Sequence, residues 1–265
     1  MNQINNDKIR QAVREQYGKV AESGNSGCST TSCCGDSVTN AQATSIVLGY
    51  SDQEVTEVPE GANMGLGCGN PQAIASLKSG ETVLDLGSGG GFDCFLAAKE
   101  VGDSGLIIGV DMTPEMVSKA RQNANQTNYH HVDFRLGEIE NLPVADSVVD
   151  VIISNCVINL SPEKNQVFQE AFRVLKQGGR LAISDVVATA VLPDDVKTDM
   201  ALFTGCISGA SSIEEIENML KIAGFDAIEI QPKDDSREFI REWSPNSNIE
   251  DYVVSATIEA VKPMA

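Results

Sequence analysis

Val83–Cys94 reads Val-Leu-Asp-Leu-Gly-Ser-Gly-Gly-Gly-Phe-Asp-Cys, and the rest of the chain is arranged around it. Val83, Leu84 and Leu86 have the look of a short buried parallel strand, broken at Gly87 by four glycines. Phe92, Phe95, Leu96, Ala97 and Ala98 follow with helical spacing. A strand, a glycine turn and a helix opening point backbone N–H groups at a ligand. A dinucleotide fingerprint needs glycine at its first, third and sixth positions. Here Gly87 and Gly89 are followed by Phe92, which counts against a nicotinamide dinucleotide. The pattern is instead Asp-x-Gly-x-Gly-x-Gly, starting from Asp85.

Outward from this stretch, 81–187 alternates strands and helices with short links, the signature of a parallel sheet covered on both faces. Strands are expected at Thr82–Leu86, Leu106–Val110, Val132–Leu136, Val148–Ser154 and Gly179–Val187. Helices are expected at Phe92–Val101, Pro114–Gln126 and Pro162–Leu175, with Thr113 and Ser161 as N-caps. Towards the N-terminus, Asp7–Glu22 is amphipathic and Ser23–Asn40 is an aperiodic Ser, Gly, Thr and Cys loop. Short helices are expected at Thr44–Gly49, Asp52–Val58 and Pro71–Leu77. After Asp185, Pro193–Ile207 and Ser212–Ala223 read as helices. Phe225–Gln231 and Tyr252–Val261 read as strands, with a helical turn at Glu238–Trp243 between them. Three parts result: an N-terminal accessory segment (1–79), a nucleotide-binding core (80–187) and a C-terminal segment (188–265) that completes the sheet.

The 265 residues suffice for a substantial core. A net charge of −19 and the lack of any basic run exclude nucleic acid or an anionic membrane as partner. No apolar stretch nears the roughly 20 residues of a membrane span, and the N-terminus lacks a signal core. A cytoplasmic monomer is expected. Seven cysteines, an odd number, do not form a secreted disulfide framework.

Ligands of open α/β sheets bind outside the carboxyl ends of the strands. There the glycine loop is joined by Asp111, placed to accept both hydroxyls of a ribose, by Gly137-Glu138-Ile139 and by Asn155-Cys156. Together with Leu142-Pro143 and the Gly178-Gly179 turn, this set resembles the class I S-adenosylmethionine-dependent methyltransferases over about 81–185. The resemblance implies a Rossmann-like fold with a mostly parallel seven-stranded sheet and an antiparallel C-terminal strand. It also implies that Asp85, Gly87, Ser88 and Gly89 line the methionine part of S-adenosyl-L-methionine and that Asp111 holds the ribose. Met112 and Ile139 would flank adenine, Glu138 would lie near its amino edge, and Asn155 would border the donor.

The acceptor is suggested by cysteines. Cys156 ends the fourth strand at the ligand-facing edge, Cys206 sits in a glycine-flanked break after the fifth strand, and Cys68 sits in the glycine-rich loop 61–71. Structural zinc sites favour close pairs such as C-x2-C, and these three are solitary, so no structural metal is expected. A soft, thiophilic acceptor suits thiolates better. Cys68 in Gly-Leu-Gly-Cys-Gly-Asn-Pro, Cys156 in Ser-Asn-Cys-Val-Ile-Asn-Leu and Cys206 in Gly-Cys-Ile-Ser-Gly-Ala resemble the arsenic(III) S-adenosylmethionine methyltransferases, as does Tyr17 in Gln-Tyr-Gly-Lys. That resemblance implies stepwise methylation of arsenite or arsenic–thiol conjugates, with Cys156, Cys206 and Cys68 as arsenic ligands and Tyr17 near the methionine end. It further implies a disulfide between Cys68 and an N-terminal thiol, Cys33 or Cys34 with Cys28 a third candidate, reset by thioredoxin or glutathione. Cys94 reads as a core residue, and His130 and His131 form no metal motif. Competing functions are a methyltransferase for a small organic acceptor, such as a quinone or sterol-like ring, and a thiol-based metalloid sensor or zinc module.

Overall fold

The computed structural model describes residues 3–23, 37–127, 129–244 and 247–264. Helices α1 (Gln3–Ser23), α2 (Ser37–Val47), α3 (Asp52–Glu57) and α4 (Gln72–Ala75) precede the sheet. The core then runs β1 (Thr82–Leu86), α5 (Phe92–Val101), β2 (Leu106–Asp111), α6 (Pro114–Ala124), β3 (Val132–Leu136), β4 (Val149–Asn155), α7 (Lys164–Val174) and β5 (Leu175–Ala188). The remainder comprises α8 (Asp194–Thr198), α9 (Met200–Thr204), β6 (Ser211–Ser212), α10 (Ile213–Ala223), β7 (Asp226–Lys233), α11 (Arg237–Trp243) and β8 (Val253–Val261).

The strand order is β3-β2-β1-β4-β5-β8-β7, with the two-residue β6 attached beside β5. Only β8 runs against the others, pairing antiparallel with both β5 and β7. This is the expected Rossmann-like α/β sheet, seven strands in its main path. Neighbouring residues explain why the strands are apolar throughout. Leu84, Ile108 and Ile152 face a core closed by α7 and α10, while Val83, Ile107 and Val151 face one closed by α4, α5 and α6. Strand order reverses between β1 and β4, so the Gly87–Gly91 loop and Asn155–Cys156 open into one crevice.

Several boundaries differ from expectation for identifiable reasons. Ser161 does not cap α7. Its hydroxyl donates to Glu140 Oε1 at 2.8 Å and accepts the Glu163 amide, so the helix starts at Lys164. Thr113 stands at the N-cap of α6 without a side-chain cap bond, whereas Ser212 forms a full capping box with Glu215. The expected helix over Pro193–Ile207 splits, because the Asp199 carboxylate accepts the Ala201 and Leu202 amides and starts α9 afresh. The Pro71 helix stops after one turn at Ser76, which adopts left-handed φ 47°. Part of the expected loop before Asn40 is helical, since α2 begins at Ser37. Lys176–Gly179 is a bulge within β5, where the pairing jumps from Val149↔Leu175 to Val151↔Arg180.

Candidate active site

The carboxyl ends of the parallel strands line a cavity of about 530 Å³. One end is built by the glycine loop and β2. Gly87 and Ser88 donate their amides to Val110 O at 2.8 and 3.0 Å, which folds the loop back over β2. Gly87 has φ +71°, and a Cβ there would meet Val157 Cγ2 at 2.3 Å, so only glycine fits. The Asp111 carboxylate accepts the Gly89 amide at 3.0 Å and the Thr113 amide at 2.8 Å, one on each oxygen. Those two bonds fix its orientation and leave lone pairs on both oxygens for a vicinal diol.

Asp85, Asp93 and Asp111 all line this end. Burial pushes the Asp85 carboxyl well above the usual carboxylate range, and the charges of Asp93 and Asp111 push it the same way. Burial raises Asp93 to about 6, although hydrogen bonds from Tyr50 and Gln72 oppose the shift. Burial also raises Asp111, against the two amides it accepts. Three crowded acids suit a positively charged ligand. Ser88 Oγ and Asn63 Nδ2 are buried without a protein partner, and both residues line the same cavity. A cationic, carboxylate-bearing donor such as S-adenosyl-L-methionine fits that set.

The other end is built of thiols. Cys68, Cys156 and Cys206 are free and buried, and they share one apolar cluster with Val13, Ile207 and Ile240. Cys156 has φ +59° and Cys206 φ +65°, both in the left-handed region that costs a side-chain-bearing residue about 1 kcal/mol or more. Their frames over-determine these turns. Cys156 donates its amide to Ser184 O at 2.8 Å, and Cys206 Sγ donates to Cys156 O at 2.8 Å. Cys68 donates its amide to Asn155 Oδ1 at 3.0 Å, and its carbonyl accepts Ser255 Oγ at 2.7 Å. Sγ of Cys68, Sγ of Cys156 and a carboxylate oxygen of Asp185 lie within 4.8 Å of one another. Contacts from the Cys206 and Cys68 thiols, then burial, push the Cys156 thiol well above its ordinary range; burial raises Cys68 as well.

A methyltransferase-domain family profile matches residues 77–224. An arsenite methyltransferase of Halobacterium salinarum is 54% identical, covering 97% of this chain and 67% of that protein. The chain belongs to the arsenite methyltransferase family. A second member, from Aquipseudomonas alcaligenes, is 38% identical over 82% of this chain. The crystal structure of an arsenic(III) S-adenosylmethionine methyltransferase from Chlamydomonas reinhardtii superposes with a TM-score of 0.62 at 32% identity, covering 87% of this chain and 75% of that one. The chain spans about two thirds of the Halobacterium protein and 62% of the Aquipseudomonas one.

Most residues singled out by resemblance to the class I methyltransferases and to the arsenic(III) methyltransferases meet at this cavity. Asp85, Gly87, Ser88, Gly89, Asp111, Met112, Ile139, Asn155, Cys156, Cys206 and Tyr17 all line it. Tyr17 reaches across from α1, donating its hydroxyl to Thr204 O at 3.2 Å beside the Cys206 turn. Cys68 lies behind the wall, joined through Cys156. Glu138 is the exception. Its carboxylate accepts Arg14 Nη2 at 2.7 Å and pairs with Arg10, so it ties down α1 and is absent from the cavity wall. Asn155 braces the thiol loop, since its Nδ2 donates to Gly69 O, and it also donates to the Tyr50 hydroxyl. Cys94 is buried on α5 as expected, with its thiol donating to Asp85 at 3.3 Å. His130 is exposed, and His131 Nε2 lies 3.2 Å from Ala98 O. Cys28, Cys33 and Cys34 lie outside the described residues.

Sequence reasoning missed Asp185, Tyr50, Asp93 and Asn63. Asp185 lies inside β5, and only the Asn155↔Ser184 register, which the sequence does not give, brings it level with the end of β4. Tyr50 and Asn63 sit in the N-terminal segment, where no periodicity marks them.

Proposed function

We propose that this chain methylates trivalent arsenic with S-adenosyl-L-methionine, holding the arsenic on Cys156, Cys206 and Cys68. The observation that carries the reading is one cavity lined at one end by Asp85, Ser88 and Asp111 and at the other by Cys156 and Cys206. Three buried free thiols support condensation: each S–H and As–OH pair gives an As–S bond and one water. Three thiolates in a trigonal pyramid leave the arsenic lone pair outward as the nucleophile, so no dedicated general base is needed. The donor supplies an electrophilic methyl group on a sulfonium. Asp111 binds the ribose diol. Ser88 and the glycine-loop amides hold the amino-acid part, and the acid cluster of Asp85 and Asp93 favours its positive charge. Catalysis is then mainly alignment of nucleophile and methyl in a site shielded from water.

The methylated, pentavalent arsenic regains its lone pair when two protein thiols give up two electrons and close a disulfide. We assign this to Cys68 with one of Cys28, Cys33 or Cys34, reset by thioredoxin or glutathione. The reading keeps 1–79 as an accessory segment, 80–187 as the donor-binding core and 188–265 as the segment carrying Cys206, and takes the working unit as a cytoplasmic monomer. Among the described residues, no helix is long and apolar enough to cross a membrane. The test is incubation with arsenite, S-adenosyl-L-methionine and a dithiol, followed by separation of arsenic species. Methylated arsenicals are expected, and unchanged arsenite would refute the assignment.

A further inference from the structure

The buried carboxylate of Asp185 takes no part in the arsenic chemistry above, yet it stands in the same cluster as Cys68 and Cys156. Arsenic(III) takes three sulfurs. A two-sulfur, one-carboxylate set has the composition of a site for a thiophilic divalent cation, with a fourth position left for solvent. We infer that Cys68, Cys156 and Asp185 form an exchangeable binding site for a divalent cation of the zinc and cadmium class, distinct from the arsenic set by the exchange of Cys206 for Asp185.

The distances fit. A tetrahedral zinc site with Zn–S of about 2.3 Å and Zn–O of about 2.0–2.2 Å spaces its donor atoms by about 3.5–3.8 Å. The three donor atoms lie within 4.8 Å of one another, so closure by about 1 Å suffices. Asp185 is also held as a ligating carboxylate is usually held. Its Oδ2 accepts the Ile158 amide at 2.9 Å, and its Oδ1 accepts Asn159 Nδ2 at 2.9 Å and the Val186 amide at 2.7 Å. Such outer-shell donors orient a carboxylate without using all its lone pairs. The open side is set by Cys156, which lines the cavity, while Cys68 and Asp185 stand behind it. Binding converts two thiols to thiolates and releases two protons to solvent for each cation taken up. Two thiolates and a carboxylate leave the loaded site with one net negative charge, within reach of the positive field of Lys164.

Spacing could not reveal this site, because its ligands come from the 61–71 loop, the end of β4 and β5. The consequence is competition: cation and arsenic share Cys68 and Cys156, so each excludes the other.

The test is cadmium titration of the full reduced chain in which Cys28, Cys33 and Cys34 are replaced by serine, following thiolate-to-cadmium charge-transfer absorption. One equivalent is expected to bind. Cys156→Ser should abolish the band, and Asp185→Asn should weaken binding at least about tenfold. Cys206→Ser should leave cadmium affinity within about threefold. Arsenite binding, read in parallel, should show the opposite dependence, lost in Cys206→Ser and retained in Asp185→Asn. X-ray absorption of the cadmium-loaded parent supplies a readout independent of the folding of any variant, with a mixed sulfur and oxygen shell of two sulfurs expected. An all-oxygen shell, a shell of three or more sulfurs, or equal cadmium affinity in Asp185→Asn would overturn the inference. Because cadmium binding is measured without methyl donor, failure of arsenite methylation leaves this result readable.

Discussion

Asn155 Oδ1 accepts the Cys68 amide at 3.0 Å, which fastens the loop carrying one thiol to the end of the strand carrying another. The same side chain donates to Gly69 O at 2.8 Å and to the Tyr50 hydroxyl at 3.0 Å, and Tyr50 in turn donates to Asp93 at 2.8 Å. A continuous polar chain thus runs from the acid cluster of the donor end to the Cys68 loop. Its Tyr50, Cys68 and Asp93 are buried, and a buried polar group left unpaired is costly. Gly67 makes room for it, since a Cβ at that position would meet the Asn155 amide at 2.7 Å.

Asn155→Ala should therefore release the Cys68 loop. It strands the Cys68 amide and the Gly69 carbonyl, at about 1–3 kcal/mol for each buried group left unpaired, while the Tyr50 hydroxyl keeps its bond to Asp93. Arsenite turnover is expected to fall at least about tenfold, a loss of roughly 1.4 kcal/mol in transition-state stabilisation. Steady-state kinetics beside thermal unfolding would check this. Wild-type turnover in a variant of lowered stability would show that the network supports only the fold.

Under the proposed function, Cys156→Ser and Cys206→Ser each remove one arsenic ligand with only a small loss of side-chain volume. Serine can still satisfy the Cys156 carbonyl in place of the Cys206 thiol. Methylation is expected to fall by at least about a hundredfold, the scale seen when a group that holds the reacting atom is removed. Donor affinity, measured by calorimetry, is expected within about threefold of wild type, because Asp111 is held by the Gly89 and Thr113 amides and Ser88 Oγ has no protein partner to lose. A parallel loss of donor binding would argue that these cysteines support the cavity wall and not the acceptor.

The donor end was legible in the sequence because it is local. Strand, glycine turn and helix occupy one run of residues, and Asp111 follows from the end of the next strand. The three solitary cysteines were legible as candidates at the ligand-facing edge of the sheet, and resemblance then assigned them together to arsenic. What assembles them is tertiary: Cys206 reaches the Cys156 carbonyl across fifty residues, and Ser255 of β8 holds the Cys68 carbonyl. Glu138 shows the opposite failure. Its position after β3 suggests an adenine contact, yet α1 contributes Arg10 and Arg14, and the ion pairs claim the carboxylate. Nothing in the local sequence of either segment announces that pairing. The split near Asp199 has the same origin in side-chain chemistry, since an aspartate within an apolar helical pattern caps the next turn in preference to continuing the last one.

Asp111→Asn tests the ribose assignment. The substitution keeps the shape and one acceptor oxygen but places an NH2 group against either the Gly89 or the Thr113 amide. Donor affinity is expected to weaken by about 10- to 100-fold, corresponding to about 1.5–3 kcal/mol for a hydrogen bond to a charged group. Calorimetric titration with S-adenosylhomocysteine, which lacks the reactive methyl, isolates this effect from chemistry. Undiminished affinity would remove Asp111 from the donor site.

Gly87→Ala tests the loop itself. The new methyl group would overlap Val157 at 2.3 Å in a residue already at φ +71°. Strain and overlap together are expected to cost about 2–4 kcal/mol in stability. Since Val157 follows Cys156, the displaced contact should also disturb the thiol turn. Denaturant unfolding and turnover should therefore fall together, while Gly89→Ala, whose Cβ would meet nothing within 4 Å, should lose donor affinity with a smaller stability change. Equal stability losses in the two variants would contradict the close approach at Gly87.

The acid cluster makes a prediction about pH with a definite sign. Burial raises Asp93 from 3.8 to about 6, so the native chain holds that proton more tightly than the unfolded chain. Native-state stability from this group is fully present below about pH 4 and is lost as pH rises through about 6, by roughly 3 kcal/mol for a shift of about two units. Asp85 is shifted in the same direction by burial and by Asp93 itself, so removing the Asp93 charge also relieves its neighbour. Asp93→Asn cannot ionise and still offers an oxygen to the Tyr50 hydroxyl. Its stability relative to wild type should therefore increase between pH 4 and pH 7 and level off above about 6. The low-shifted Glu81 and Glu170 change stability with the opposite sign but are common to both proteins, and they cancel in the difference. A cationic donor reverses the effect in wild type, because it stabilises the ionised acids, so donor affinity should strengthen as pH rises through the same interval and do so less in Asp93→Asn. Guanidinium unfolding of both proteins at several pH values, with and without S-adenosyl-L-methionine, measures both slopes. A stability difference independent of pH would mean that Asp93 is ionised throughout, and the cluster would then have no unmet demand for a positive charge.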